Sequence, residues 1–301
     1  MTSVGDERRQ GVGTALEAIE SRCTGELGAA ARNLETGEEV RLNAEAVFPT
    51  ASVIKVPILV EMMRRAQAGE LSLDRRVSLR HADRIGGSGV LKAFEPGVEP
   101  TLRDVATLMI VLSDNTATNM AIDALGGVDP VNATMDKLGF ATIRLHNRID
   151  FDLIGSDVRR LGEAAPAEMC ALMHGIATRE VFGPDVSQAV EDVLAQQQYL
   201  DQVPRYLQFN PYWRELDDDP RVTVACKTGF FTGTRVDAGI VRFRSGGGFA
   251  YAVANHLCQD ETFLPEAEGA VVNGLVGKAL LEHWWPVADK PPIADTSYDI
   301  R

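Results

Sequence analysis

Apolar residues recur along this chain with two different periods, and the switch between them outlines the fold. Near the N-terminus Val12, Leu16 and Ile19 fall on one helical face, which predicts an amphipathic helix over residues 12–22. Residues 27–34 and 39–42 then read as two strands of a hairpin turning at Thr36-Gly37. A helix follows from about Ser52, and the middle of the chain stays helical. Thr101-Leu102-Arg103-Asp104 has the capping-box pattern ahead of an apolar run to Leu112, and Gly126-Gly127 and Gly139 are helix stops. Pro166 suits the start of a helix through Ile176, and residues 186–194 read as another, before an irregular stretch through Pro211 and Trp213. From Arg221 the pattern alternates, and residues 238–243 and 249–254 flank Ser245-Gly246-Gly247-Gly248 as a hairpin. Strands at both ends with helices between predict an α/β (α+β) chain. Its antiparallel sheet comes from both chain ends, is covered by helices over residues 12–22 and 264–284, and holds an inserted all-helical subdomain.

Three short strings in this frame carry chemistry: Ser52-Val53-Ile54-Lys55, Ser113-Asp114-Asn115 and Lys227-Thr228-Gly229, in that order. A serine hydroxyl is a poor nucleophile at neutral pH and needs a base within hydrogen-bond reach. A lysine three residues later on a helix lies on the same face, one turn on. Such a lysine is a base only if burial or a neighbouring cation such as Lys227 lowers its pKa. Ser113 could relay a proton to a leaving group, and Asn115 could hold both Lys55 and a substrate amide. Lys227 with Thr228 could bind an anionic carboxylate, and Gly229 would let a substrate backbone approach the strand. Each string also has a purely structural use: a serine helix cap at Ser52, a helix stop and cap at residues 113–115, and a strand end at residues 227–229. Their ordered co-occurrence favours the chemistry.

With the flanks Phe48-Pro49-Thr50-Ala51 and Thr116-Ala117-Thr118-Asn119, the three strings resemble the class A β-lactamase and penicillin-binding serine hydrolase superfamily over nearly the whole chain. The resemblance implies a β-lactamase/transpeptidase-like fold and one catalytic unit over 1–301, with residues 1–50 and 221–301 as the α/β part and 51–220 as the helical part. It implies Ser52 as the acylated nucleophile, Lys55 as its base partner and Ser113 as the proton shuttle. Lys227, Thr228 and Gly229 would bind the substrate carboxylate, and the backbone amides of Ser52 and Phe230 would form the oxyanion hole. The family activates deacylating water with a loop glutamate. Here the loop reads Arg148-Ile149-Asp150-Phe151-Asp152-Leu153-Ile154, so Asp150, one methylene shorter, stands in for it and Ile154 replaces the asparagine that would help hold the water. Phe230 and Phe231 follow Gly229 where a small residue is usual, which implies a narrower or more apolar pocket. Arg235 adds to carboxylate binding or pairs with Asp237. The implied reaction is β-lactam amide hydrolysis through an acyl-Ser52 intermediate. A D-alanyl-peptide carboxypeptidase, esterase or amidase of the same fold, or a slowly deacylating binder or sensor, are the alternatives.

Composition narrows the partner. Among 301 residues the formal net charge is -13, which opposes an extended nucleic-acid or anionic-membrane surface and leaves a small molecule bearing a carboxylate. Asp217-Asp218-Asp219 reads as a solvated loop. Cys23, Cys170, Cys226 and Cys258 lack zinc-type spacing and read as free thiols, and the five histidines form no ligand motif, so neither metal nor cofactor is expected. The polar first ten residues lack the apolar stretch of a secretory signal, so a cytoplasmic protein is expected as written, and a periplasmic or secreted one if a native signal was removed. A loosely held tail is expected around Pro291-Pro292.

Overall fold

In a computed structural model the backbone is described over residues 4–207 and 209–285, with side chains from residue 11; the Pro291-Pro292 tail lies outside the described residues. The chain opens with helix α1 (Val4–Glu20) and the strands β1 (Glu26–Asn33) and β2 (Glu39–Leu42). Strand β3 (Phe48–Pro49) and a 3-10 turn (Ala51–Ile54) lead directly into α2 (Lys55–Gln67). The middle carries α3 (Leu102–Val111), α4 (Asn115–Leu125), α5 (Asp129–Lys137), β4 (Arg144–Leu145), the short helix α6 (Phe151–Ile154), β5 (Gly162–Ala164), α7 (Pro166–Ala177) and α8 (Pro184–Leu194). Strands β6 (Val222–Phe231), β7 (Thr234–Phe243) and β8 (Gly248–His256) and helix α9 (Glu268–Trp284) follow.

The five long strands form one antiparallel sheet in the order β2-β1-β8-β7-β6. β1 lies in its interior, in register with β8 from Glu26↔His256 to Asn33↔Phe249, so the early and late parts of the chain share one layer. Strand alternation then feeds two cores. Leu16, Leu27, Cys226, Phe249 and Val276 fill the space between one face and the helices α1 and α9. Val236, Ala238 and Ile240 of β7 point to the other face and join Ile58, Met62, Val105 and Met173 of the helical layer.

The helix ends follow local chemistry. Thr101 Oγ1 accepts the Asp104 amide at 3.1 Å while Asp104 Oδ2 accepts the Thr101 amide at 2.9 Å, which closes the capping box at the start of α3. Gly126, at φ 86°, ends α4 in a left-handed conformation that only glycine adopts without strain. Two details differ from expectation. α1 starts at Val4 rather than at residue 12, and the apolar pattern misses its first turns because Glu7-Arg8-Arg9, Gly11 and Gly13 interrupt the stripe. The region expected to be wholly helical also holds a small sheet, β3-β5-β4, whose two- and three-residue strands are too short to show a period. Among the described residues no helix is long and apolar enough to cross a membrane.

Candidate active site

The 3-10 turn that carries Ser52 packs between the helical layer and the β6–β7 edge of the sheet. Ala51, just before the serine, is held at φ 43°, a conformation that costs a residue bearing a Cβ about 1–3 kcal/mol. The turn is fixed from both sides, by Val53 N on Thr50 O at 3.0 Å and Thr50 N on Gly162 O at 3.0 Å. Ser52 caps nothing: neither the turn, whose N-cap is Thr50, nor α2, whose N-cap is Ile54, has a side-chain cap. Its hydroxyl faces an open cleft.

Lys55 lies one turn further on, wholly buried. Its Nζ donates to the Ser113 carbonyl at 2.8 Å, to Ser113 Oγ at 3.0 Å and to Asn115 Oδ1 at 3.0 Å. Burial pushes its pKa well below the ordinary lysine value, and the charge of Lys227 pushes the same way, against a smaller pull from Asp114. Both effects make this amine easier to deprotonate than an exposed lysine. Ser113 can show both of its oxygens to Lys55 because its φ is 50°, a second non-glycine residue in the left-handed region.

Asp114 holds that corner. Its carboxylate caps α4 through the Ala117 amide at 2.9 Å and also accepts the Val90 and Leu91 amides at 2.6 and 2.8 Å. Those bonds draw the segment 86–91 over the α3–α4 junction, where Ser88 Oγ donates to the Ser113 carbonyl at 2.7 Å and Asn115 Nδ2 donates to the Gly86 carbonyl at 2.9 Å. A Cβ on Gly87 would stand 2.5 Å from Asn115 Nδ2, so the segment fits only as glycine there. Ser88 was not anticipated from the motifs; the Gly86-Gly87-Ser88-Gly89 run was its only signal.

The third string splits across the sheet. Lys227 and Gly229 share the face of β6 on which Gly229 meets the Ser52 backbone, whereas Thr228 faces α9, as alternation requires. Lys227 is wholly buried; Nζ donates to the Thr228 carbonyl at 2.5 Å, and burial lowers its pKa to about 7. A Cβ on Gly229 would stand 2.8 Å from Ser52 N and 2.9 Å from Thr50 O. The close approach this glycine permits is therefore to the backbone of the nucleophile. Thr228 Oγ1 accepts Gln202 Nε2 at 2.5 Å, and Gln202 Oε1 accepts Asn273 Nδ2 at 2.9 Å, so the threonine hydroxyl is turned away from the cleft.

Two other expected residues stand elsewhere. Asp150 is exposed and caps α6, accepting the Asp152 and Leu153 amides at 3.0 and 3.2 Å, while Arg148 pairs with Asp123 at 3.2 Å. The loop instead presents Ile149, Phe151 and Ile154 to the cleft. Asn119 fixes it there by exchanging two 2.8 Å hydrogen bonds with the Ile149 backbone. Arg235 points to the far face of β7, donating to the Phe231 and Thr234 carbonyls at 2.8 Å each and to the Thr262 carbonyl, with its guanidinium 5.4 Å from the Phe263 ring. It neither pairs with Asp237 nor reaches the cleft. Opposite the loop stand Phe230, Phe231 and Phe263; the Phe230 ring meets Phe263 edge-on at 6.1 Å. Ser52, Ser88 and Asn115 supply the polar side chains of an otherwise apolar cleft of about 210 Å³.

A family model described as the beta-lactamase enzyme family matches residues 12–284. The chain belongs to that family. Among curated family members, beta-lactamase L2 of Stenotrophomonas maltophilia is 27% identical over 172 residues, 56% of this chain and 55% of that protein. Beta-lactamase CTX-M-97 of Escherichia coli is 30% identical over 130 residues, 43% of this chain and 44% of that one. The chain thus spans about half the length of the curated relatives it matches. Solved structures match more fully. A beta-lactamase from Sphaerobacter thermophilus superposes with a TM-score of 0.79 at 29% identity, covering 94% of this chain and 99% of that one. PBP-A superposes at 0.77 and 25%, covering 90% and 94%. The β-lactamase fold, with an antiparallel sheet flanked by helices, is therefore shared along nearly all of the chain.

Proposed function

We propose that this β-lactamase family member is a serine hydrolase that opens β-lactam amides through an acyl-enzyme on Ser52, with deacylation as the slow step. The observation that carries the proposal is the buried Lys55 amine, held by Ser113 and Asn115 one turn from a serine at the floor of an open cleft. Lys55 takes the hydroxyl proton as Ser52 Oγ attacks the carbonyl. The Ser52 and Phe230 amides donate hydrogen bonds to the developing oxyanion, and Ser113 Oγ passes a proton to the departing nitrogen. Lys227 supplies positive charge for a substrate carboxylate, without the Thr228 hydroxyl. No acidic side chain stands among the described residues that line the cleft, so water attack on the ester has only Lys55 as a base nearby.

The test follows intact mass and product release when the protein and its Ser52→Ala variant meet a penicillin and a cephalosporin. A Ser52-dependent adduct that forms faster than it clears is the expected result. Turnover that survives Ser52→Ala, or no adduct with either drug, would overturn the proposal; adducts with simple esters alone would move the substrate to that class.

A further inference from the structure

Away from the cleft, the backbone of residue 25 runs against that of residues 256–258. A Cβ on Gly25 would meet the His256 carbonyl and stand 2.7 Å from Cys258 N. This contact brings Cys23, just beyond α1, beside Cys258, just beyond β8, and Glu268 at the start of α9 closes the group. The two sulfurs and a Glu268 carboxylate oxygen lie within 4.8 Å of one another. We propose that Cys23, Cys258 and Glu268 form a zinc site, with water as the fourth ligand.

Two thiolates and a carboxylate at that mutual spacing suit a tetrahedral Zn²⁺ with one open position, whereas hard cations prefer all-oxygen sets. The surroundings already orient the ligands. Thr24 N and Oγ1 donate to the two Glu268 oxygens at 2.5 and 2.6 Å, which aims the carboxylate while leaving a lone pair on each oxygen. Asn255, wholly buried, donates Nδ2 to Cys23 Sγ at 3.1 Å and accepts the Cys258 thiol on Oδ1. Metal arrival displaces the thiol protons of Cys23 and Cys258 to solvent, leaving two thiolates on zinc. Cys258 and Glu268 are the two ends of the loop that carries Phe263, and Cys258 N also bonds the Gly233 carbonyl at 3.0 Å in the turn after Phe231. The ion would clamp the base of a loop that walls the cleft, and would tie it to the segment after α1.

The full chain, reduced and freed of metal, is titrated with Zn²⁺ and in parallel with Co²⁺ as a chromophoric stand-in, with reactive thiols counted before and after. One equivalent should bind, Co²⁺ should show a thiolate charge-transfer band, and zinc should protect two thiols. Cys23→Ser and Cys258→Ser should each lose the band, and Glu268→Gln should weaken zinc at least tenfold, while Cys170→Ser binds as the parent does. Circular dichroism checks that each variant folds, and thiol protection in the unsubstituted chain reads the site without any variant. Absence of stoichiometric binding overturns the proposal, as does binding indifferent to both cysteine changes. A Cys23–Cys258 disulfide whose reduction restores no metal uptake does the same.

Discussion

Asp237 is a carboxyl sealed beneath the strand that carries Lys227, and replacing it with asparagine should make the protein more stable as pH rises. The residue pairs with Thr228 across β6 and β7 and is wholly buried. Oδ1 meets the Tyr251 hydroxyl at 3.0 Å and Oδ2 accepts the Val203 amide at 3.3 Å. Burial raises its pKa from 3.8 to about 8, opposed by the Tyr251 hydrogen bond and reinforced by Asp201. The native state therefore keeps a proton that the unfolded chain releases near pH 4. The contribution to stability is full below that point, erodes by about 1.4 kcal/mol per pH unit, and is lost above pH 8 or so. At pH 7 the charge-free variant should gain at most about 4 kcal/mol over the parent. Asparagine can keep both contacts, with its oxygen toward Val203 N and its amide nitrogen toward the Tyr251 oxygen. Urea unfolding of both proteins from pH 4 to 9 measures the difference, and groups common to the two cancel. A difference that stays constant across this range would refute the idea that Asp237 is a buried neutral acid.

Asp150→Asn should leave acyl-enzyme breakdown within about twofold, since the carboxylate caps α6 outside the cleft and the amide oxygen can still cap; an adduct trapped by this change in a stopped-flow or mass assay would contradict the placement. Gly229→Ala should cut the acylation rate at least tenfold by pushing the Ser52 backbone from its seat, at a cost in folding stability of about 1–3 kcal/mol; near-parental acylation would show that the turn can give way. Asp114→Ala removes an acceptor from three amides and should cost about 3 kcal/mol or more, with Lys55 loosened as segment 86–91 detaches. Thermal melting and the acylation rate report these together, and a change below about 1 kcal/mol would be inconsistent with the three bonds.

Much of this arrangement was written in local signals. The Thr36-Gly37 turn, the Thr101 capping box, the glycine stop at 126 and the alternation after Arg221 each act within a few residues, so they survive in a single sequence. α9 begins at Glu268, later than its apolar pattern suggests, because Asp260 draws residues 260–268 into a turn by accepting the Thr262 and Glu268 amides. The meeting of Lys55 with Ser113 and Asn115 was legible because recurring strings carry it. Thr228 was misplaced although the same reasoning that sent Cys226 to the far face sends Thr228 there too. Asp150 and Arg235 could not be placed, since what decides them is whether a nearby backbone amide or carbonyl captures the side chain before the cleft does. The Cys23–Cys258 meeting depends on Gly25 lying against another strand's end, a contact far apart in sequence and invisible to spacing rules.

The interior position of β1 also governs when the chain can acquire activity. β1 finds β2 at once, but its other edge waits for β8, and Gly229, which seats the Ser52 turn, arrives only with β6. During synthesis the helical layer can assemble while β1 keeps an unpaired edge. A long-range pairing of this kind slows folding, because loop closure must precede its reward. It also means that a nascent chain holds its nucleophile without the strand that supports it. Acylation should therefore switch on late and all at once, when the last three strands close the sheet.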